Sequence, residues 1–222
     1  MKNPTAAISA LRFIFWGGLL CLLDIHFTQT SSYNGVESGF RFDLLNDVFG
    51  MILIWLGVLG LSRFEVNASY AKEMSFIKMA CLVGTIVAVD GHFLYEDPTL
   101  IALLRVAAGM VTLAATFLFC VSMKRFADTY GLPTSSRSWK TTRNLVLVLW
   151  VAPVGLSHTI SILGLVTGSD TAFNLGLLAL PILLMMLVPL VHIFISTSRM
   201  KNEIESGGHL MPLAAGKYPA KP

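Results

Sequence analysis

Charge is scarce in this chain. Charged side chains make up 13% of its 222 residues, about half the ~25% usual in soluble domains, which excludes an ordinary water-facing surface. Cysteine is scarcer still. Cys21, Cys81 and Cys120 all fall inside apolar runs; an odd number without metal-type spacing excludes a disulfide framework and reads as buried free thiols. Nucleophile–base pairs, phosphate-binding loops and cofactor fingerprints are also missing. Ser157 and His158 are adjacent in Gly155-Leu156-Ser157-His158, but neighbours on a helix point about 100° apart, and the segment lacks the Gly-x-Ser-x-Gly pattern. No catalytic residue is assigned, and an enzyme is the less favoured reading. Lys2 and Arg12 precede the first apolar run without a small-x-small cleavage pattern, so that run reads as an uncleaved span. No lipidation signal is read at either end.

What the chain has is apolar length. Hydrophobic residues make up 55% of it, and the mean hydropathy is +0.70. A window of about 19 residues finds six candidate spans, at 9–28, 43–62, 74–95, 99–123, 144–167 and 172–196. Backbone facing lipid must satisfy its own hydrogen bonds, so each span is expected to be an α-helix. Glu96-Asp97-Pro98 and Gly168-Ser169-Asp170 are short connections that make antiparallel hairpins. Residues 28–42 read as a longer polar loop with Ser31, Ser32, Asn34 and Gly35 as turn formers. The expected fold is an all-α integral membrane protein, residues 1–196, with six transmembrane helices in three hairpins.

Fourteen of the sixteen Lys and Arg fall on the side of the N-terminus; the exceptions are Arg41 and Arg105. This bias predicts that both termini are cytoplasmic. The segment 124–143, with Lys124-Arg125, a Gly131-Leu132-Pro133 break and Trp139, reads as a basic interfacial loop anchored by its tryptophan. Residues 197–222 lack an apolar period and read as a mobile cytoplasmic tail. Pro153, Pro181 and Pro189 predict kinks in the last two spans. Gly50, Gly57 and Gly60 predict close helix approach.

The residues needing explanation are polar ones within the spans. Asp90-Gly91-His92-Phe93 ends the third span, and Asp24-Ile25-His26-Phe27 ends the first, 66 residues earlier. His158 follows His92 at the same interval, and Ser62-Arg63-Phe64 is echoed by Lys124-Arg125-Phe126, which suggests parallel two-helix repeats. Asp90 and Arg105 each lie roughly 10–12 Å below the intervening turn, so pairing is the economical arrangement. His92 is two residues from Asp90, about 200° around the helix. Asp43 reads as an N-cap and Asp47 as a first-turn acid of the second span.

Three readings cover this outer layer: a structural ion-pair and capping layer; a cation or proton pathway through Asp24, His26, Asp47, Asp90, His92 and Arg105; or a metal site with His26 and His92 as candidate ligands. No cofactor is expected, with haem or copper/zinc as the alternative. His192 lies near the inner end and His26 near the outer, so those two cannot share one iron. The preferred function is a small transporter, channel or accessory subunit of a membrane complex that handles a cation or proton. The alternative is a metal- or haem-binding membrane oxidoreductase or its partner subunit. Expected partners are the lipid bilayer and either complex subunits or further copies of the chain, with no nucleic acid.

Phe42-Asp43-Leu44-Leu45-Asn46-Asp47-Val48-Phe49-Gly50 resembles a segment of uncharacterised bacterial multi-pass membrane proteins that reads Phe-Asp-Leu-Leu-Pro-Asp-x-x-Gly. Asn46 stands where those proteins have proline. The resemblance covers about twenty residues; it implies a multi-pass protein of the bacterial inner membrane and brings no activity with it.

Overall fold

In the computed structural model, residues 5–22, 26–33, 36–43, 47–93, 99–167 and 179–206 are described. The apolar runs form helices: α1 (Thr5–Leu22), α2 (Asp47–Leu61), α3 (Ala68–Phe93), α4 (Thr99–Thr129), α5 (Pro133–Val146), α6 (Ala152–Thr167) and α7 (Ala179–Glu205). A π-helical turn, Leu147–Val151, joins α5 and α6 into one continuous helix. Successive helices pack side by side from α1 to α5, and α7 closes the ring against both α5 and α1. The fold is therefore an α-helical bundle.

It departs from an all-α arrangement at one place. Residues 28–42, expected as a loop, belong to an antiparallel ribbon of β1 (His26–Tyr33) and β2 (Val36–Asp43), in register from His26↔Asp43 to Tyr33↔Val36. That register leaves two residues between the strands, Asn34 and Gly35. Asn-Gly is the strongest short-range hairpin signal, because both residues tolerate positive φ. The first span is correspondingly shorter than expected: α1 closes at Leu22, and β1 begins at His26.

α1 and α2 meet backbone to backbone. A Cβ on Gly57 would lie 2.5 Å from the Ala10 carbonyl oxygen, and one on Gly50 would lie 2.8 Å from that of Gly17. Only glycine permits such an approach, as the sequence predicts. Asn67 caps α3, its Oδ1 accepting the Tyr70 N–H at 2.8 Å. Beside it Phe64, Phe126 and Tyr130 cluster. Phe64 and Phe126, at matching positions of the two sequence echoes, meet edge to face with centroids 5.3 Å apart. Phe126 stacks on Tyr130 at 4.4 Å. Glu73 of α3 holds α4 through Arg125 Nη1 at 3.0 Å and accepts from Ser122 Oγ at 2.7 Å.

The basic segment 124–143 is not an interfacial loop. α4 runs through it to Thr129 and ends in a Schellman motif: Leu132 N–H bonds to Ala127 O at 2.8 Å and Gly131 N–H to Asp128 O at 3.3 Å, with Gly131 at φ 66°. Pro133 then opens α5. Ser135, Ser138, Trp139, Thr142 and Val146 share one helical face, and that face is buried. Trp139 is 0% exposed, so it is a core residue and not a headgroup anchor. The chain from 197 likewise begins in helix: α7 continues to Glu205, with Met200 fully buried. Residues 207–222 lie outside the described residues.

The exterior differs from that of a water-soluble bundle, while the interior is mainly apolar as well. Large apolar side chains stand exposed along the helices, among them Trp16 and Phe49, Ile86, Val148 and Leu156, the last four each more than 60% exposed. Ser122, Ser135, Thr142 and Ser196 are fully buried. An apolar exterior of this extent marks a surface meant for something other than water. Two helical stretches, Val106–Thr129 and Pro133–Gly164, are long and apolar enough to cross a membrane, and Thr5–Cys21 and Val48–Leu61 are shorter apolar helices.

Candidate functional site

The residues singled out from sequence gather at one end of the bundle by connectivity. His26 starts β1 opposite Asp43, Asp47 is the first residue of α2, and Asp90 and His92 lie in the last turn of α3. Arg105 is in the second turn of the adjacent antiparallel α4. Asp90 is three residues from the end of α3 and Arg105 six from the start of α4, roughly 4.5 and 9 Å from those ends at the helical rise. α3 remains α-helical through Gly91, which keeps His92 well around the helix from Asp90. Asp24 lies outside the described residues, as do the side chains of His26, Asp47, Asp90, His92, Arg105 and His158.

The polar constellation whose side chains are described lies at the opposite end, between α5 and α7. Ser138 Oγ is 2.8 Å from Ser196 Oγ. Ser196 Oγ is 2.7 Å from Thr142 Oγ1, which is in turn 2.8 Å from His192 Nδ1. Arg199 Nη1 donates to Ser138 Oγ at 3.4 Å. On α5 these residues recur at Ser135, Ser138 and Thr142, and on α7 at His192, Ser196, Arg199 and Glu203. Both series follow the three- and four-residue steps that align one helical face. Thr142 also bonds to the carbonyl of Ser138 at 3.1 Å.

Arg199 fixes one direction in this network: it can only donate, so Ser138 Oγ accepts from it. In one consistent arrangement Ser138 donates to Ser196 and Ser196 to Thr142. The Thr142 proton has two acceptors in reach: the Ser138 carbonyl, or His192 Nδ1 when the imidazole carries its proton on Nε2. In the other tautomer, Nδ1–H donates to Thr142. The seam can therefore switch between two hydrogen-bonded states as a proton exchanges at His192, with every hydroxyl satisfied in each. The sequence puts His192 near the inner end, and the signal for its neighbours is hydroxyl residues at helical spacing within a polar stretch.

At the end of the seam, Glu203 closes α5. The N-cap residue Leu132 has no side chain able to cap. The Glu203 carboxylate instead accepts the backbone N–H groups of Thr134 at 3.1 Å and Ser135 at 2.8 Å, where the helix dipole favours an anion. Among the described residues no group of three His, Cys, Asp or Glu is placed to hold a metal ion.

No protein-family model, curated protein or solved structure matches this chain.

Proposed function

We propose that this chain is a multi-pass protein of a bacterial inner membrane. In this reading it has six spans and cytoplasmic termini, and it works as a small transporter, channel or accessory subunit that handles a proton or cation. The apolar exterior supports the membrane reading, and the distribution of Lys and Arg supports the orientation. In that orientation the outer leaflet holds Asp24, His26, Asp47, Asp90, His92 and Arg105, and the cytoplasmic half holds the seam. The proton reading rests on one observation: the run of hydrogen-bonded hydroxyls from Arg199 through Ser138, Ser196 and Thr142 to His192. Ionisable groups within spans are costly and are the usual members of proton relays.

The test is flux in sealed vesicles carrying the purified protein and a trapped pH-sensitive dye. Wild type should dissipate an imposed pH gradient faster than empty vesicles do. His192→Phe and Asp90→Asn should each remove most of that flux, and Thr142→Val should slow it. Vesicles no leakier than protein-free controls would sink the proton reading and leave both polar layers structural.

A further inference from the structure

We infer that the bundle binds one hydrocarbon chain, the acyl or isoprenoid tail of a lipid, in a slot along its axis. A cavity of about 280 Å³ lies at the centre of the ring, lined from α1, α2, α3, α4, α7 and the π-helical turn. The lining is almost wholly apolar. Its two hydroxyls, Thr112 and Thr116, bond to carbonyls of their own helix, Ala108 and Thr112. Both hydroxyl protons are thus spent within α4, and what faces the cavity is almost wholly carbon and sulfur, the setting in which cavities stay dry. An apolar occupant fits it.

Shape narrows it further. The lining runs from Ile14 to Cys21 on α1 and from Thr112 to Phe119 on α4, seven residues in each case. At 1.5 Å per residue the slot is roughly 10 Å long, and its volume divided by that length gives a cross-section of roughly 30 Å². That admits a single methylene chain and excludes a broad planar macrocycle. The slot is only partly enclosed, and the helix exteriors around it carry Ile86, Leu156 and Leu163 at more than 60% exposed. Under the membrane reading, on which this inference rests, the medium at its mouth is itself hydrocarbon. Trp150 reaches the slot from the π-helical turn ahead of Pro153. The wide turn thus helps to shape the site.

The experiment is photolabelling of the full chain in vesicles doped with a diazirine-tailed phospholipid or, in a second arm, a diazirine-tailed polyisoprenoid alcohol. Adducts are mapped by peptide mass spectrometry. Interior positions Ala80 and Cys81 and exterior positions Leu82 and Ile86 lie on the same helix, so each acts as the control for the other. The expected result is labelling at both faces by at least one probe, with interior adducts cut about tenfold by Ala115→Phe or Ala80→Leu and exterior adducts unchanged. The arm that labels the interior identifies the tail. Exterior labelling without interior labelling overturns the slot. Interior labelling undiminished in both filled variants overturns it as well. Absence of labelling at either face overturns the membrane reading first.

Discussion

Glu203 and Ser135, 68 residues apart, form the closure that lets α5 begin where it does. The carboxylate accepts both the backbone N–H of Ser135 at 2.8 Å and its hydroxyl, supplying from α7 the cap that Leu132 cannot. Losing an N-cap acceptor costs about 1–2 kcal/mol. Glu203→Ala should lower unfolding stability in detergent by that amount. Glu203→Gln, which keeps a carbonyl acceptor but loses the charge, should lose about half as much. Equal losses would mean that charge alone matters.

Two helical glycines, Gly57 at the α1–α2 contact and Gly155 on α6, should respond to alanine with opposite signs. At Gly57 a methyl group would press on the Ala10 carbonyl and on Ile14 Cγ1 at 2.5 Å, and backbone cannot yield cheaply, so Gly57→Ala should destabilise by about 1–3 kcal/mol. At Gly155 nothing lies within 4 Å of an added Cβ. Gly155→Ala should therefore gain up to about 1 kcal/mol from helix propensity. Denaturant titration of the two variants side by side reads both signs.

Trp139 is fully buried, and its Nε1 has no hydrogen-bond partner among the described residues; its ring meets Phe119 edge to face at 5.7 Å. Trp139→Ala opens a large void and should cost about 3–5 kcal/mol. Trp139→Phe keeps an aromatic ring in the site and removes the unsatisfied donor, a penalty of about 1–3 kcal/mol in itself. Its loss should be less than half that of alanine, by thermal unfolding. A phenylalanine variant as weak as the alanine one would mean that the indole N–H finds a partner in solution.

Alkaline stability should depend on Tyr70. Burial first, and then the neighbouring Tyr130, push its phenol above the ordinary value of 10. Burial, followed by Glu65, raises Tyr130 as well. A raised folded pKa leaves stability intact below about pH 10. Above that the unfolded chain releases its proton while the folded one holds it, so stability falls as pH climbs. The Tyr70 hydroxyl also donates to the Leu61 carbonyl at 2.9 Å. Tyr70→Phe should thus cost about 1 kcal/mol near neutrality and flatten the decline above pH 10. An unchanged alkaline slope would exclude Tyr70 as its source.

Apolar length made most of the helices other than α5 readable from sequence, because an α-helix satisfies its own backbone hydrogen bonds within a long apolar run. The α1–α2 glycines were readable for a similar reason: small residues at helical spacing have few other uses. The α5–α7 seam was harder. Ser135, Ser138 and Thr142 lower the hydropathy of a window even though they are buried, since hydropathy measures transfer of an unpaired hydroxyl and theirs are paired. The β-ribbon is hidden in sequence because Asn34-Gly35 serves a loop turn as well as a hairpin, and its flanks are too polar to show an apolar alternation. Just ahead of Pro153, where the sequence predicts a kink, lies one wide turn in which Ala152 N–H reaches back to Leu147 O.

That wide turn sets a rule about counting. A π-helical turn absorbs one residue more than an α-helix would, and one residue is about 100° of rotation. Before it, the helix turns Ser138 and Thr142 inward toward α7; beyond it, Leu156 and Leu163 face outward. Deleting a single residue between 147 and 151 would let the turn close to ordinary α-helix and leave the later side chains of α6 at the same azimuth. Deleting one from the α-helical stretch on either side would rotate them by about 100°. The wide turn is thus the one place in this long helix where a residue can be lost without turning Leu156 and Leu163 away from the exterior.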